Sequence, residues 1–93
     1  MREQQIEQQL RLMTKARGGL CLKFVSPGWI GAPDRIVLFP DGKAGFVEVK
    51  SPGKKPRKIQ LLRHQQLRRL GFQVFVLDKT DDIGGILDGI QGT

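Results

Sequence analysis

Apolar positions recur along this chain at two periods, and each change of period marks an element boundary. Over residues 2–17, Ile6, Leu10, Met13 and Arg17 fall on one stripe at the 3.6-residue repeat, which predicts an amphipathic helix. Gly18-Gly19 ends it, because glycine supplies the positive φ that a helix C-terminal cap often needs. From residue 20 the spacing shortens. LCLKFV (20–25), DRIVLF (34–39), KAGFVEVK (43–50) and FQVFVL (72–77) are short apolar or alternating runs that predict strands. SPGWIGAP (26–33) reads as a loop, Pro40-Asp41-Gly42 as a turn and SPGKKPRK (51–58) as a basic loop. Helical spacing returns over 58–70, where Ile59, Leu62, Gln66, Arg69 and Leu70 track one side, with Leu67 beside them. A short third helix is expected near 81–90. It is weakly specified, since Gly84, Gly85, Gly89 and Gly92 lower helix propensity. The order is α-β-β-β-α-β-(α), an α/β class, read as one domain over 1–93 with a weakly specified tail at 79–93. A helix between the third and fourth strands predicts a crossover to a parallel or mixed edge.

The turn between the second and third strands decides which side chains share a face. Pro-Asp-Gly fits a three-residue hairpin loop: proline presets φ for a type I turn, Asp suits the next position, and Gly takes the left-handed one. Such a loop puts Phe39 opposite Lys43, Ile36 opposite Phe46 and Asp34 opposite Glu48. Directly opposed residues share a face, with Cβ atoms about 4.5–5.5 Å apart. Lys50, two residues beyond Glu48, shares it too. A two-residue loop shifts the parity and separates the acids. Opposed carboxylates repel. Two arrangements relieve that: an ion pair of Lys50 with one of them, or a divalent cation between them. Hard oxygen donors suit Mg²⁺ or Mn²⁺.

Composition narrows the class. No apolar run approaches the ~18 residues of a membrane span, and the polar start, MREQQIEQQL, lacks the apolar centre of a signal peptide. The single cysteine, Cys21, excludes an internal disulfide and a Cys-based zinc cage, so a reducing compartment, most simply the cytoplasm, is expected. A net charge of +7 on 93 residues favours polyanionic partners, nucleic acid first. Lys54, Lys55, Arg57 and Lys58 cluster immediately after the strand that ends in Glu48 and Lys50.

These residues resemble a known family. APD and EVK together carry the Pro-Asp…Glu-x-Lys pattern of the PD-(D/E)XK nucleases. Residues 3–78 resemble the virus-type replication-repair nuclease (VRR-NUC) domain more closely, through Gly18-Gly19, GAPDR, EVKSPGKK, the following Gln60 and LGFQVFV. The resemblance implies a restriction-endonuclease-like fold, a central mixed sheet of about four strands flanked by helices, in agreement with the element order. It also implies Asp34 and Glu48 as metal-binding carboxylates, the main-chain carbonyl of Val49 as a further ligand, Lys50 as the active-site lysine and Gln60 as an active-site glutamine. Glu7 matches an acidic residue of the first helix, and Glu3 fits the same spacing.

The implied activity is hydrolysis of DNA phosphodiester bonds with Mg²⁺ or Mn²⁺ as cofactor. Lys50 would orient the attacking water or stabilise charge on the phosphorane, and Gln60 would position water or phosphate. Lys54, Lys55, Arg57 and Lys58 would contact backbone phosphates. Arg35 points to the face away from Asp34, where it either pairs with a structural carboxylate or reaches DNA. Trp29 stacks on a base, packs at a subunit contact or covers its own loop. His64, a lone histidine on a helix, reads as a surface or partly buried residue. Single-domain members of the family resemble homodimeric junction-resolving enzymes, which implies branched DNA such as a four-way (Holliday) junction, a homodimer, and a viral or bacterial origin. Leu12, Trp29, Ile83, Ile86, Leu87 and Ile90 are the candidate surplus apolar surface. The alternative is a basic nucleic-acid-binding module without catalysis. Against it stand the same-face acids, which weaken phosphate binding.

Overall fold

The computed structural model, which describes residues 1–92, resolves the two periods into three helices and four strands among those residues: α1 (Glu3–Ala16), β1 (Leu20–Lys23), β2 (Arg35–Phe39), β3 (Lys43–Val49), α2 (Lys58–Arg69), β4 (Gln73–Leu77) and α3 (Ile83–Gln91). The strands form one mixed sheet in the order β1-β2-β3-β4. β2 is antiparallel to both neighbours, and the α2 crossover delivers β4 parallel to β3. Phe39 pairs with Lys43 and Ile36 with Phe46, the expected hairpin register. The turn itself differs from the type I expectation. Asp41 (φ 67°) and Gly42 (φ 72°) are both left-handed. Asp tolerates this region better than most residues because its short side chain can bond locally. The loop length is unchanged, so the parity of the facing residues is preserved.

The sheet is covered on both faces. On one, Val37, Phe39, Val47, Val49 and Leu77 meet Ile6 and Leu10 of α1 and the apolar side of α3. On the other, Phe46 and Val74 meet Leu67 of α2, with Phe24, Trp29 and Ile36 at the margin. α3 is a core helix, better formed than its glycines suggest. Ile83, Ile86, Leu87 and Ile90 recur at i, i+3, i+4 and i+7, and all are buried. Each such burial stabilises by roughly 1.5–3 kcal/mol, against about 1 kcal/mol lost at each interior glycine. Packing therefore wins over propensity. The absence of a side chain at Gly45 helps, because a Cβ there would lie 2.7 Å from Ile90. This burial corrects the expected surplus surface: those four residues of α3 are interior. Leu12 of α1 is exposed as expected, and on the sheet itself Leu20 (58% exposed) and Leu22 (46%) of the edge strand β1 are open, on the same face as Ile36 and Phe46.

Candidate active site

One step beyond the Arg35–Val47 pair, strand alternation sets Asp34 level with Glu48 on the α2 side of the sheet. The Asp34 carbonyl accepts from Phe24 N (2.9 Å), which holds the mouth of β2 against β1. Its Oδ2 accepts from Val49 N across the hairpin (2.8 Å). Glu48 is 1% exposed. Burial, then a hydrogen bond with the Asp34 carboxyl and the charge of Asp34, pushes Glu48 up to about 8, against the pull of Lys50. Glu48 therefore holds its proton more tightly than a free carboxyl does. The convergence expected from the turn is present, and its electrostatic cost is visible. Lys50 follows at the strand end, half-buried, with its amide donating to Leu77 O (2.8 Å).

α2 lies over Glu48 with a polar face. Gln60, His64 and Leu67, spaced i, i+4 and i+7, are its buried residues. The expected stripe is wrong here: Leu62 and Leu70 are exposed. A buried carboxyl needs donors more than it needs aliphatic contact, and α2 supplies two. Gln60 Nε2 donates to Glu48 Oε2 (3.1 Å), and His64 Nε2 stands 3.3 Å from Glu48 Oε1. The Gln60 carbonyl oxygen meanwhile accepts from Arg57 N (2.8 Å) and closes the first turn of the helix. The Gln60 amide is thus engaged within the protein through its oxygen and one of its two N–H groups. His64 is fully buried, deeper than the surface or partly buried position expected for it. Burial, with Arg68's charge adding, pushes its imidazole down from the ordinary value, so it is neutral. The sequence holds one signal that points to it: His64 stands one helical turn after Gln60.

Other expected residues divide. Arg35 is buried on the α1 side, where its Nε donates to Glu7 Oε2 (2.9 Å). Of its two alternatives it takes the carboxylate, and Glu7 is committed to it. Glu3, at the start of α1, adds its charge to those raising Glu48. Glu3, Glu7 and Asp34 line a hollow of about 300 Å³ with Lys23, Phe24 and Val25. A larger hollow, about 360 Å³, surrounds the β2–β3 turn at the other end of the sheet, away from the carboxylates. Trp29 packs on the Phe46–Leu67–Val74 cluster, with the Arg63 guanidinium 4.9 Å from its ring centroid. Arg63 Nε also donates to Ile30 O (2.7 Å), tying the loop to α2. Lys54, Lys55, Arg57 and Lys58 are exposed, and none forms an ion pair with a carboxylate among the described residues.

The donor set suits a hard divalent cation. Two carboxyls stand level on adjacent strands, and the charge of one raises the proton affinity of the other, a repulsion that a cation between them would relieve. Among the described residues no three His, Cys, Asp or Glu side chains form a ready cage.

No protein-family model matches the chain. It is 48% identical over 91 residues to a protein named "Putative nuclease p44" from Acyrthosiphon pisum secondary endosymbiont phage 1, a match spanning 98% of this chain and 97% of that one. A solved structure described as a VRR_NUC domain superposes with a TM-score of 0.86 at 33% identity, covering 92% of this chain and 94% of the other.

Proposed function

This chain belongs to the VRR-NUC family of nucleases, and from that premise we propose that it is a cation-dependent DNA endonuclease acting on branched DNA such as four-way junctions. The observation that carries this reading is the register that sets Asp34 level with buried Glu48 beneath α2, beside an exposed basic loop that forms no ion pair among the described residues. Asp34, Glu48 and the Val49 carbonyl would hold Mg²⁺ or Mn²⁺, which would supply Lewis-acid polarisation of the scissile phosphate. Lys50, on the same face, keeps its ammonium beside the reacting phosphate and stabilises the charge that develops there. Gln60 holds Glu48 rather than the substrate. Glu3 is the α1 acid assigned to the rim of the site, since Glu7 serves Arg35. Lys54, Lys55, Arg57 and Lys58 grip flanking phosphates.

The same reading makes the working unit a homodimer, because two sites can then meet two strands of a junction. The uncovered edge of the sheet at Leu20 and Leu22 supports this. A monomeric mass by sedimentation at micromolar concentration would remove that part. Among the described residues no helix is long and apolar enough to cross a membrane, and Cys21 is a free, buried thiol. We place its action in the cytoplasm of a phage-infected or bacterial cell.

The decisive experiment incubates a supercoiled plasmid and a four-way junction with the chain in Mg²⁺, Mn²⁺ or EDTA. Cleavage is expected with either cation, none with EDTA, and a loss of at least 10²-fold for Asp34→Ala or Glu48→Ala, on the order of effects seen when charge-stabilising groups are removed. Binding without cleavage in every condition is the outcome that favours a non-catalytic binding module.

A further inference from the structure

We propose that His64 is a positioning residue that holds Glu48 in its cation-binding orientation, a role that rests on the function proposed above. Its imidazole is fully buried and lies 3.3 Å from Glu48 Oε1, while the other ring nitrogen, Nδ1, is buried with no hydrogen-bond partner. That asymmetry decides the tautomer. A buried N–H without an acceptor costs more than a bare ring nitrogen without a donor. The proton therefore sits on Nε2, facing the carboxylate, and Nδ1 stays bare. His64 is a fixed donor to Glu48.

Among the described residues the side chains that reach the Glu48 oxygens from α2 are Gln60 on Oε2 and His64 on Oε1. Gln60 alone pins one oxygen and leaves the carboxylate free to swing about its last torsion. Gln60 and His64 together, from successive turns of one helix, fix both oxygens and so the plane of the group. Each oxygen keeps a second lone pair for the cation. Donors of this kind around a ligating carboxylate typically change metal affinity about 10–100-fold when removed.

The test measures Mn²⁺ affinity of the whole chain by the electron paramagnetic resonance of free Mn²⁺, without DNA. His64→Leu keeps the apolar bulk and removes the donor; His64→Gln returns an N–H at similar reach. The expected result is affinity about 10–100-fold weaker for His64→Leu and within about threefold of wild type for His64→Gln. Thermal melting of each variant is recorded alongside. Two results overturn the role: His64→Leu binding as tightly as wild type, or His64→Gln binding as weakly as His64→Leu, which would make bulk rather than the donor the relevant property. A wild-type chain that binds no Mn²⁺ overturns the nuclease site itself and is distinct from either. If His64→Leu does not fold, long-range ¹H–¹⁵N correlation on the wild type decides. The Nε2–H tautomer is expected, and an Nδ1–H ring ends the proposal.

Discussion

Glu48 carries an energetic conflict that a single substitution can expose. Its carboxyl, pushed up to about 8 by burial and by Asp34, binds its proton more tightly in the folded chain than in the unfolded one. The stabilisation this gives is complete below the unfolded value of 4.5 and is lost as pH rises through about 8. Glu48→Gln puts an amide N–H beside Asp34 at every pH, at the cost of one oxygen that faces Gln60 or His64. Near pH 5 the variant is therefore expected to melt below wild type. Between pH 5 and pH 8–9, without cation, the difference should move in the variant's favour by about 4–8 °C, the shift that ~1 kcal/mol gives in a domain of this size. Mn²⁺ should reverse this movement by stabilising only the wild type, while the variant does not cleave. Calorimetry across pH checks this, and a melting difference that does not change with pH contradicts it.

Among the elements, α1 is locked to the sheet by a charge pair on the face opposite the site. Arg35 has only 10% of its side chain exposed and depends on Glu7. Breaking a buried pair leaves an uncompensated charge and costs about 3–5 kcal/mol. Because Glu7 keeps partial exposure, Glu7→Ala is expected to lose about 3 kcal/mol in urea denaturation. The double variant Glu7→Leu/Arg35→Met should recover most of it, which a catalytic role for Glu7 does not predict. Elements also differ in how far their sequence announces them. The β2–β3 hairpin is legible because a period of two and a loop of fixed length determine register without knowledge of the partners, so Asp34, Glu48 and Lys50 fall on one face. α2 defeats the same reasoning because periodicity assumes an apolar surface beneath a helix. Here that surface holds Glu48, so Gln60 and His64 turn inward while Leu61 and Leu62 face out. α3 is stronger than its composition suggests because propensity weighs glycine without knowing that Ile83, Ile86, Leu87 and Ile90 close the core. His64 is silent in the sequence because a lone histidine acquires meaning only from the carboxylate folded against it.

Across the whole molecule, charge is distributed so that attraction and chemistry sit side by side. The net charge is +7, yet the acids Glu3, Asp34 and Glu48 gather at one end of the sheet, and the exposed cations Lys54, Lys55, Arg57 and Lys58 follow in the connection from β3 into α2. On the function proposed above, DNA drawn by the basic loop would meet the carboxylates at once. The loop's share can be measured by anisotropy of a labelled junction in EDTA, where no cleavage interferes. Removing one phosphate-binding cation should lower the slope of log K against log salt by about 0.9, so Lys54→Ala/Lys55→Ala is expected to reduce it by about 2 and to weaken binding at low salt. Arg63→Ala is the control. Its guanidinium is spent on Trp29, Ile30 and Gln66, so the slope should stay at the wild-type value even if the loop it ties loosens. If instead the double lysine variant keeps the full slope and Arg63→Ala reduces it, DNA lies along α2 rather than over the β3–α2 loop. The path of the scissile strand into the carboxylates would then have to cross the helix that covers Glu48.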